Sequence, residues 1–480
     1  MAMSYPVIRV ENFARIKEAV IELAPLTLFV GNNNTGKSYL SSLIWGFSQE
    51  SFMHRWLWSN LAILKDEFQP IHFLQNWIEN CLHDELPGNQ ISVSENDHHS
   101  LISVINDVLH RKKAGFAKAI FGRQIDIGHL SLGLPFNENR TLRMSVRQNP
   151  FSLDNTNQEH WGVEVKIDGN RSRGVMIRDL KDHTAIQWLV LCVYLSSYFQ
   201  GASSFFPASR TGFLLTYKSL IDKSLAKNFG SRLKFENEKG DQLTMPQLSF
   251  LQSLAAQSGR NRKRRRESQK ILPLIKFIEE TIIGGSLSLN DLPVPELSYR
   301  PNDLEGGLPM FLSSGVVTEI APLLSHLKYG SMDKRCVIEE PEMSLHPELQ
   351  RSMAQILIRL TKLPVSVLVT THSDTIIQHV NNMIKLANRR DGRELANEHG
   401  YTDDDIISAE QVRMYQFDTE LKSHRTVVKK LEADVNGFAV PTFGDALRNL
   451  RNDVVAFYND GSDVDESPKS EKTTTGKESS

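Results

Sequence analysis

Gly31-Asn32-Asn33-Asn34-Thr35-Gly36-Lys37-Ser38 fits G-x-x-x-x-G-K-[ST], the loop pattern that cradles phosphates. Its flanks fit as well. Leu26-Thr-Leu-Phe-Val30 runs straight into it as a buried-strand pattern. Behind it, Leu40, Leu43, Ile44 and Phe47 recur at helical spacing. The chemistry needs a strand, a Gly-rich turn and a helix start, because backbone N–H groups wrap the phosphates and the helix N-terminus adds a favourable dipole. Lys37 is expected to reach the β- and γ-phosphates and Ser38 to hold Mg²⁺. The residues expected at the nucleotide are Gly31, Asn32, Asn33, Asn34, Thr35, Gly36, Lys37, Ser38 and Tyr39. The competing reading, a chance match in a turn, does not account for the strand and helix on either side.

Four later segments, in order, narrow the reading. Leu312-Ser313-Ser314-Gly315 precedes Val316, Val317, Ile320, Leu323 and Leu324 at helical spacing, so Ser313, Ser314 and Gly315 form a second anion-binding helix start. Cys336-Val-Ile-Glu339-Glu340-Pro341-Glu342 is a short apolar strand ending in paired carboxylates. Metal binding and base work need separate carboxylates, so Glu339 is assigned to the metal and Glu340 to the base. In Ser344-Leu-His346-Pro347, Pro347 opens a helix, where its missing N–H costs nothing. Val365-Ser-Val-Leu-Val-Thr-Thr371-His372 is a buried strand that delivers His372 to its C-terminal end, where open α/β sheets bind ligands.

Bulk properties bound the rest. The chain has 480 residues, 23% charged and 40% hydrophobic, with formal net charge −2. That is globular composition, long enough for two or three lobes, and nucleic-acid contact would need a local patch. One such patch is Arg260-Asn-Arg262-Lys263-Arg264-Arg265-Arg266, six basic residues in seven. A solvated loop, phosphate contacts and an acidic partner compete to explain it. Three widely spaced cysteines, Cys81, Cys192 and Cys336, give neither a zinc pattern nor a disulfide framework, which suits a reducing cytoplasm. The opening Met-Ala-Met-Ser-Tyr-Pro lacks the charged and apolar regions expected of a signal peptide, and the most apolar run, Ile186 to Phe199, reads as a buried helix rather than a span.

Residues 1–47 and 285–418 read as two parts of one nucleotide-binding head. Between them lie a helical segment (48–126) with an aromatic core stripe, a β-rich lobe and helix (127–212), and a helical insertion carrying the basic run (213–284). Trp161-Gly-Val-Glu-Val-Lys-Ile-Asp168 alternates and ends in Gly-Asn, a hairpin signal. His98-His99, among Ser, Asn and Asp, reads as a loop tip rather than a metal site. Val412 to Phe417 reads as the last strand, followed by a helical extension (419–460) and a disordered tail (461–480) that includes Asp463 and Asp465.

Taken together, the loop, Leu312–Gly315, Glu339-Glu340, Ser344–Pro347 and His372 resemble the ATP-binding-cassette heads of the RecF, SMC and OLD group. The match spans roughly residues 5–47 and 285–418. Glu-Glu-Pro-Glu followed by Leu-His-Pro, with Glu in place of Asp at the metal position, is similar to the OLD-like branch, as is Phe206-Pro-Ala-Ser-Arg210, although Arg210 receives no role. The resemblance implies an α/β fold, a mixed β lobe on a parallel-sheet core, with a helical insertion. It implies ATP and Mg²⁺ as ligands, and catalysis by Glu340 and His372. It also implies a head-to-head dimer or higher oligomer, with Ser314 and Gly315 of one copy capping the ATP of another.

OLD proteins carry a TOPRIM nuclease, for which the residues after 418 leave no room. A stand-alone head of this kind resembles the cytoplasmic ATPase subunits of bacterial antiphage systems. Septu, the first choice, pairs one with an HNH nuclease, PARIS with a TOPRIM effector, and retron-linked relatives exist. A RecF-like DNA-maintenance ATPase and a nucleotide-dependent scaffold with little turnover are the competing classes.

Overall fold

Leu26-Thr-Leu-Phe-Val-Gly31 forms a strand buried at every position, and the rest of the site is arranged on its neighbours. In this computed structural model, residues 5–61, 72–83, 89–149, 160–167, 171–177, 183–199, 201–228, 243–257, 265–290, 295–330 and 333–460 are described. The chain separates into two units, Met1–Phe438 and Ala439–Ser480.

The first unit is built on a nine-stranded sheet. In spatial order its strands are His129–Gly133, Val7–Phe13, Ile16–Glu22, Thr426–Leu431, Val412–Thr419, Leu26–Gly31, Ser366–Thr370, Arg335–Glu339 and Ser203–Phe206. The last five run parallel. The pairs at the other end are antiparallel except for Thr426–Leu431 against Ile16–Glu22. Parallel strands are covered on both faces, and Arg335–Glu339 and Leu26–Gly31 are buried at every position. Their shared direction brings Gly31, Glu339 and Thr370 to one edge of the sheet. The architecture is the expected mixed α/β fold with a parallel core.

Behind this edge, helix Lys37–Ser48 packs its rear on the long helix Glu95–Phe121 through aromatic contacts. The Phe47 and Phe116 ring centroids are 4.7 Å apart, and Trp56, on the following helix Glu50–Leu61, places its ring centroid 4.8 Å from that of Phe116. Phe52, Trp56 and Trp77 are core residues, as the aromatic stripe suggested. Helix His183–Tyr198 is buried from Ile186 to Ser197, as expected of a helix apolar all round. A second sheet of four strands holds the hairpin His160–Ile167/Arg171–Ile177. Helices Arg210–Asn228, Met245–Ala255 and Arg265–Ile278, the last continued by the π-helical turn Glu279–Ile283, lie in the described part of the insertion.

Three expectations are corrected. His98-His99 is not a loop tip. Ser94 and Asp97 form a reciprocal cap that starts helix Glu95–Phe121, so the polar residues taken for a loop are a helix start. His98 is buried, its ring nitrogens 2.6 Å from the Tyr194 hydroxyl and 2.9 Å from the Leu134 carbonyl. Val412–Thr419 is not the last strand of the sheet, since Thr426–Leu431 returns antiparallel to it. Its Val-Val-Lys-Lys sequence was too short and too charged to stand out. The 48–126 segment also holds a strand, Asn89–Ser92, paired with Thr141–Asn149.

In the second unit, helix Pro441–Asp460 exposes Leu450, Val454 and Phe457. The tail 461–480, with Asp463 and Asp465, lies outside the described residues.

Candidate nucleotide-binding site

The loop leaves the sheet through Gly31, at φ 130°. Gly31 pairs with Phe417 on the adjacent strand, and a Cβ on it would lie 2.4 Å from the Phe417 carbonyl oxygen. Only a residue without a side chain fits. Asn34 at φ 61° and Gly36 at φ 94° complete the turn, and Gly36 caps helix Lys37–Ser48. The Thr35 hydroxyl donates to the Asn32 carbonyl at 2.9 Å. Lys37 is 6% exposed, and its Nζ donates to the carbonyls of Gly31 (3.0 Å) and Asn32 (2.7 Å). Burial lowers its pKa to about 8, against the pull of Glu340 and Glu342. A phosphate would supply the anion that makes the buried ammonium favourable. Ser38 is exposed at the helix start, and Tyr39 is half-buried, taking a 2.9 Å hydrogen bond from Arg123.

Strand Arg335–Glu339 ends beside this helix. Glu339 is 7% exposed and accepts from the Ser41 hydroxyl at 2.9 Å. Burial pushes its pKa up, while the hydroxyls of Ser41 and Ser38 and the Ala208 N–H pull it down. None of these donors is charged. A buried carboxylate with only neutral donors suits a hard divalent cation, which Ser38 and Glu339 could hold between them. Glu340 turns off the strand at φ 43°, its N–H donating to the Thr370 carbonyl at 2.8 Å. This reversal leaves its carboxylate one-third exposed, 3.8 Å from His372 Nε2.

His372 follows strand Ser366–Thr370. Burial lowers its pKa, with Lys37 adding to the effect, while Glu340 and a hydrogen bond to the Gly31 backbone oppose it. Its own N–H donates to Glu342 Oε1 at 2.5 Å, and the Thr371 hydroxyl also reaches that carboxylate. Glu342 had no role from the sequence. Its only signal was its place as the third acid of Glu-Glu-Pro-Glu. The structure uses it to fix the His372 backbone, and burial raises its pKa.

The loop, Glu339, Glu340 and His372 therefore come together within one chain. The segment Leu312–Gly315 does not join them. Ser314 caps helix Gly315–Tyr329, accepting from the Val317 N–H at 3.4 Å. Gly315 packs on Ser344, 3.7 Å from the nearest side-chain atom for a Cβ placed there. Ser313 is half-buried, whereas Phe311 (72%) and Leu312 (63%) are open to solvent. Among the described residues, no hydrogen bond or ion pair joins this turn to the Gly31–Ser38 loop.

Arg210 is a second residue whose role the sequence did not reveal. It is 2% exposed, and its guanidinium spans Glu319 of the Gly315–Tyr329 helix and the carbonyls of Glu339 and Glu340. Of the basic run, Arg260, Arg262, Lys263 and Arg264 lie outside the described residues, while Arg265 and Arg266 open helix Arg265–Ile278.

Residues 3–158 and 328–377, under half of the chain, match the family model for the AAA ATPase domain. The matched segments contain the loop, Glu339, Glu340 and His372, but neither Arg210 nor Leu312–Gly315. No curated protein matches the chain. Among solved structures, it is similar to the SmcHead bound to the C-winged helix domain of ScpA, at 11% identity over 89% of this chain and 98% of that one, TM-score 0.35. It is also similar to the SMC head domain from Thermotoga maritima, at 10% identity over 90% and 100%, TM-score 0.31. A third is the Smc head domain with an extended coiled coil bound to the C-terminal domain of ScpA derived from Pyrococcus furiosus, at 12% over 94% and 99%, TM-score 0.33. Such scores carry no residue assignment. The loop, its place on the parallel sheet and the family match together support an ATPase of the P-loop type, on a mixed α/β fold.

Proposed function

We propose that the protein hydrolyses ATP at a site completed by a second copy of itself, and that it serves as the ATPase subunit of a bacterial antiphage defence complex. One observation carries the first part. The loop, the carboxylates and His372 converge on one edge of the sheet, while Ser314 and Gly315 sit apart on an exposed helix start. An exposed helix start, joined to its own loop by no hydrogen bond among the described residues, suits the γ-phosphate held by another copy.

In this reading Lys37 neutralises the β- and γ-phosphates, and the backbone N–H groups of Asn32 to Ser38 wrap them. Ser38 and Glu339 hold Mg²⁺, which supplies charge neutralisation on the phosphate oxygens. Glu340, partly exposed beside the loop, orients the attacking water and takes its proton. His372, kept neutral by burial, contacts the reacting phosphate, and Glu342 holds its backbone in place.

The second part rests on the resemblance to stand-alone OLD-like heads. The output is control of a separate nuclease, an HNH partner of the Septu kind first and a TOPRIM partner second. Two experiments test the proposal. Turnover per subunit, measured across a dilution series, should fall as the copies separate; a strict monomer with a concentration-independent rate contradicts the composite site. Co-expression with the neighbouring open reading frame should yield a stable complex with an HNH or TOPRIM protein, and a replication or repair operon in its place contradicts the defence role.

A further inference from the structure

Arg210 opens helix Arg210–Asn228, where the insertion begins, and all three of its nitrogens are engaged. Nε donates to the Glu319 carbonyl at 3.1 Å. Nη1 donates to the carbonyls of Pro207 (3.2 Å) and Glu339 (2.7 Å). Nη2 donates to the Glu340 carbonyl at 3.2 Å and lies 2.7 Å from Glu319 Oε1. That oxygen has the charge of the guanidinium beside it but no aligned N–H. Thr211 donates its hydroxyl to Glu319 Oε2 at 2.5 Å. Both side chains of the ion pair are almost fully buried, at 3% and 2% exposure.

Glu319 stands four residues past Gly315 on the same helix, roughly 6 Å along its axis. The ion pair therefore ties the Ser314–Gly315 helix start to the end of the Glu339–Glu340 strand through one rigid, planar group. Stability alone is a poor reason for it. A buried ion pair loses much of its attraction to desolvation, and an apolar pair of the same volume is often as stable. Glu340, meanwhile, sits in the left-handed region at φ 43°, a conformation that persists only where neighbours impose it. Those neighbours are the Thr370 carbonyl on its N–H and, on its C=O, the Met343 N–H and the Arg210 guanidinium, each at 3.2 Å.

We infer that Arg210 and Glu319 are positioning residues that couple the Ser314–Gly315 helix to the Glu339–Glu340 carboxylates of the same chain. Docking of that helix on the nucleotide of another copy would then be felt at the chain's own Glu340, because the planar fork fixes the spacing between its acceptors. The coupling rests on the reading of the site as an ATPase completed between copies.

The test uses the full chain with Glu319→Gln, Arg210→Lys and the double variant Arg210→Met/Glu319→Leu. Binding of a fluorescent ATP analogue, turnover per bound nucleotide well below the melting temperature, and the melting temperature itself are measured for each. Misplacing a reacting group by a fraction of an ångström is enough for the expected result, turnover at least about tenfold lower with nucleotide affinity within about twofold of wild type. The apolar double variant should hold its melting temperature and still turn over slowly. Wild-type turnover per bound nucleotide in the single variants, whatever their melting temperatures, overturns the coupling and makes the pair a packing element. A wild-type protein that binds ATP but never turns it over sinks the underlying ATPase reading, and the coupling with it.

Discussion

Gly31→Ala is the most severe single-atom change the site offers. At φ 130° an alanine is strained by about 1–3 kcal/mol. Its Cβ would also lie 2.4 Å from the Phe417 carbonyl oxygen and 3.1 Å from the Phe417 nitrogen, both backbone atoms. Phe417 has little room to retreat. It is fully buried, paired with Val428 on its far side, and its ring centroid is 5.0 Å from that of Phe29. Relieving the clash is an overpacking problem of about another 1–3 kcal/mol. The expected loss is therefore about 2–6 kcal/mol, read from the shift in urea midpoint at unchanged slope. Gly36→Ala is the control. It has the same kind of backbone strain at φ 94°, but its Cβ would meet only the Ile16 side chain, at 3.1 and 3.3 Å, which can rotate away. It should show the conformational part alone, about 1–3 kcal/mol. The Gly31 carbonyl also accepts from Lys37, so Gly31→Ala should weaken ATP binding beyond what its stability loss explains. A Gly31→Ala protein as stable as wild type, or less damaged than Gly36→Ala, would refute the argument from close approach.

Lys37→Ala should abolish ATP binding in calorimetry, since it removes the buried cation of the Gly31–Ser38 loop; wild-type affinity would sink the loop assignment. Glu340→Gln should bind ATP normally and lose hydrolysis by about 10²–10⁴-fold, and normal turnover would place the base elsewhere. Away from the site, Asp405 is fully buried, with Arg359 at 2.7 and 2.9 Å and the Thr402 N–H at 2.9 Å. Burial alone would raise its pKa, but Arg359 and Thr402 hold it below the ordinary 3.8. Its contribution is complete above that value and lost as pH falls through the folded-state pKa, so Asp405→Asn should remove part of the acid denaturation seen below pH 3.8; an unchanged acid limb in the variant contradicts this.

What the sequence shows well is whatever repeats at short range. The apolar run Leu26–Val30, the loop after it and the helical spacing of Leu40 to Phe47 all lie within some twenty residues, and they form a strand, a turn and a helix. Glu339 and His372 were found the same way, each at the end of an apolar strand. Arg210 and Glu342 were missed because their partners are distant or are backbone atoms. Arg210 meets Glu319, 109 residues away, and the bonds that define its place end on carbonyl oxygens, which leave no side-chain pattern to read. Glu342 likewise grips a backbone N–H thirty residues on. His98 misled for a related reason, since the Ser and Asp around it cap a helix as readily as they make a loop.

The buried charges explain why such distant contacts exist. Burial depresses the pKa of Lys37 and raises those of Glu339 and Glu342, so the site holds ionisable groups whose charged forms the protein itself disfavours. Nucleotide phosphates and a divalent cation would relieve all three at once, because each brings the opposite charge to a desolvated group. Binding energy of that origin is released inside the chain, at residues fixed by backbone bonds to Gly31, Glu340 and His372. It would otherwise stop at the sheet edge. Under the proposed coupling, Arg210 gives it a route to the Ser314–Gly315 helix, the face assigned there to a second copy. In that coupling, the rigid guanidinium at the junction is what lets the occupied site be felt at the surface offered to another copy.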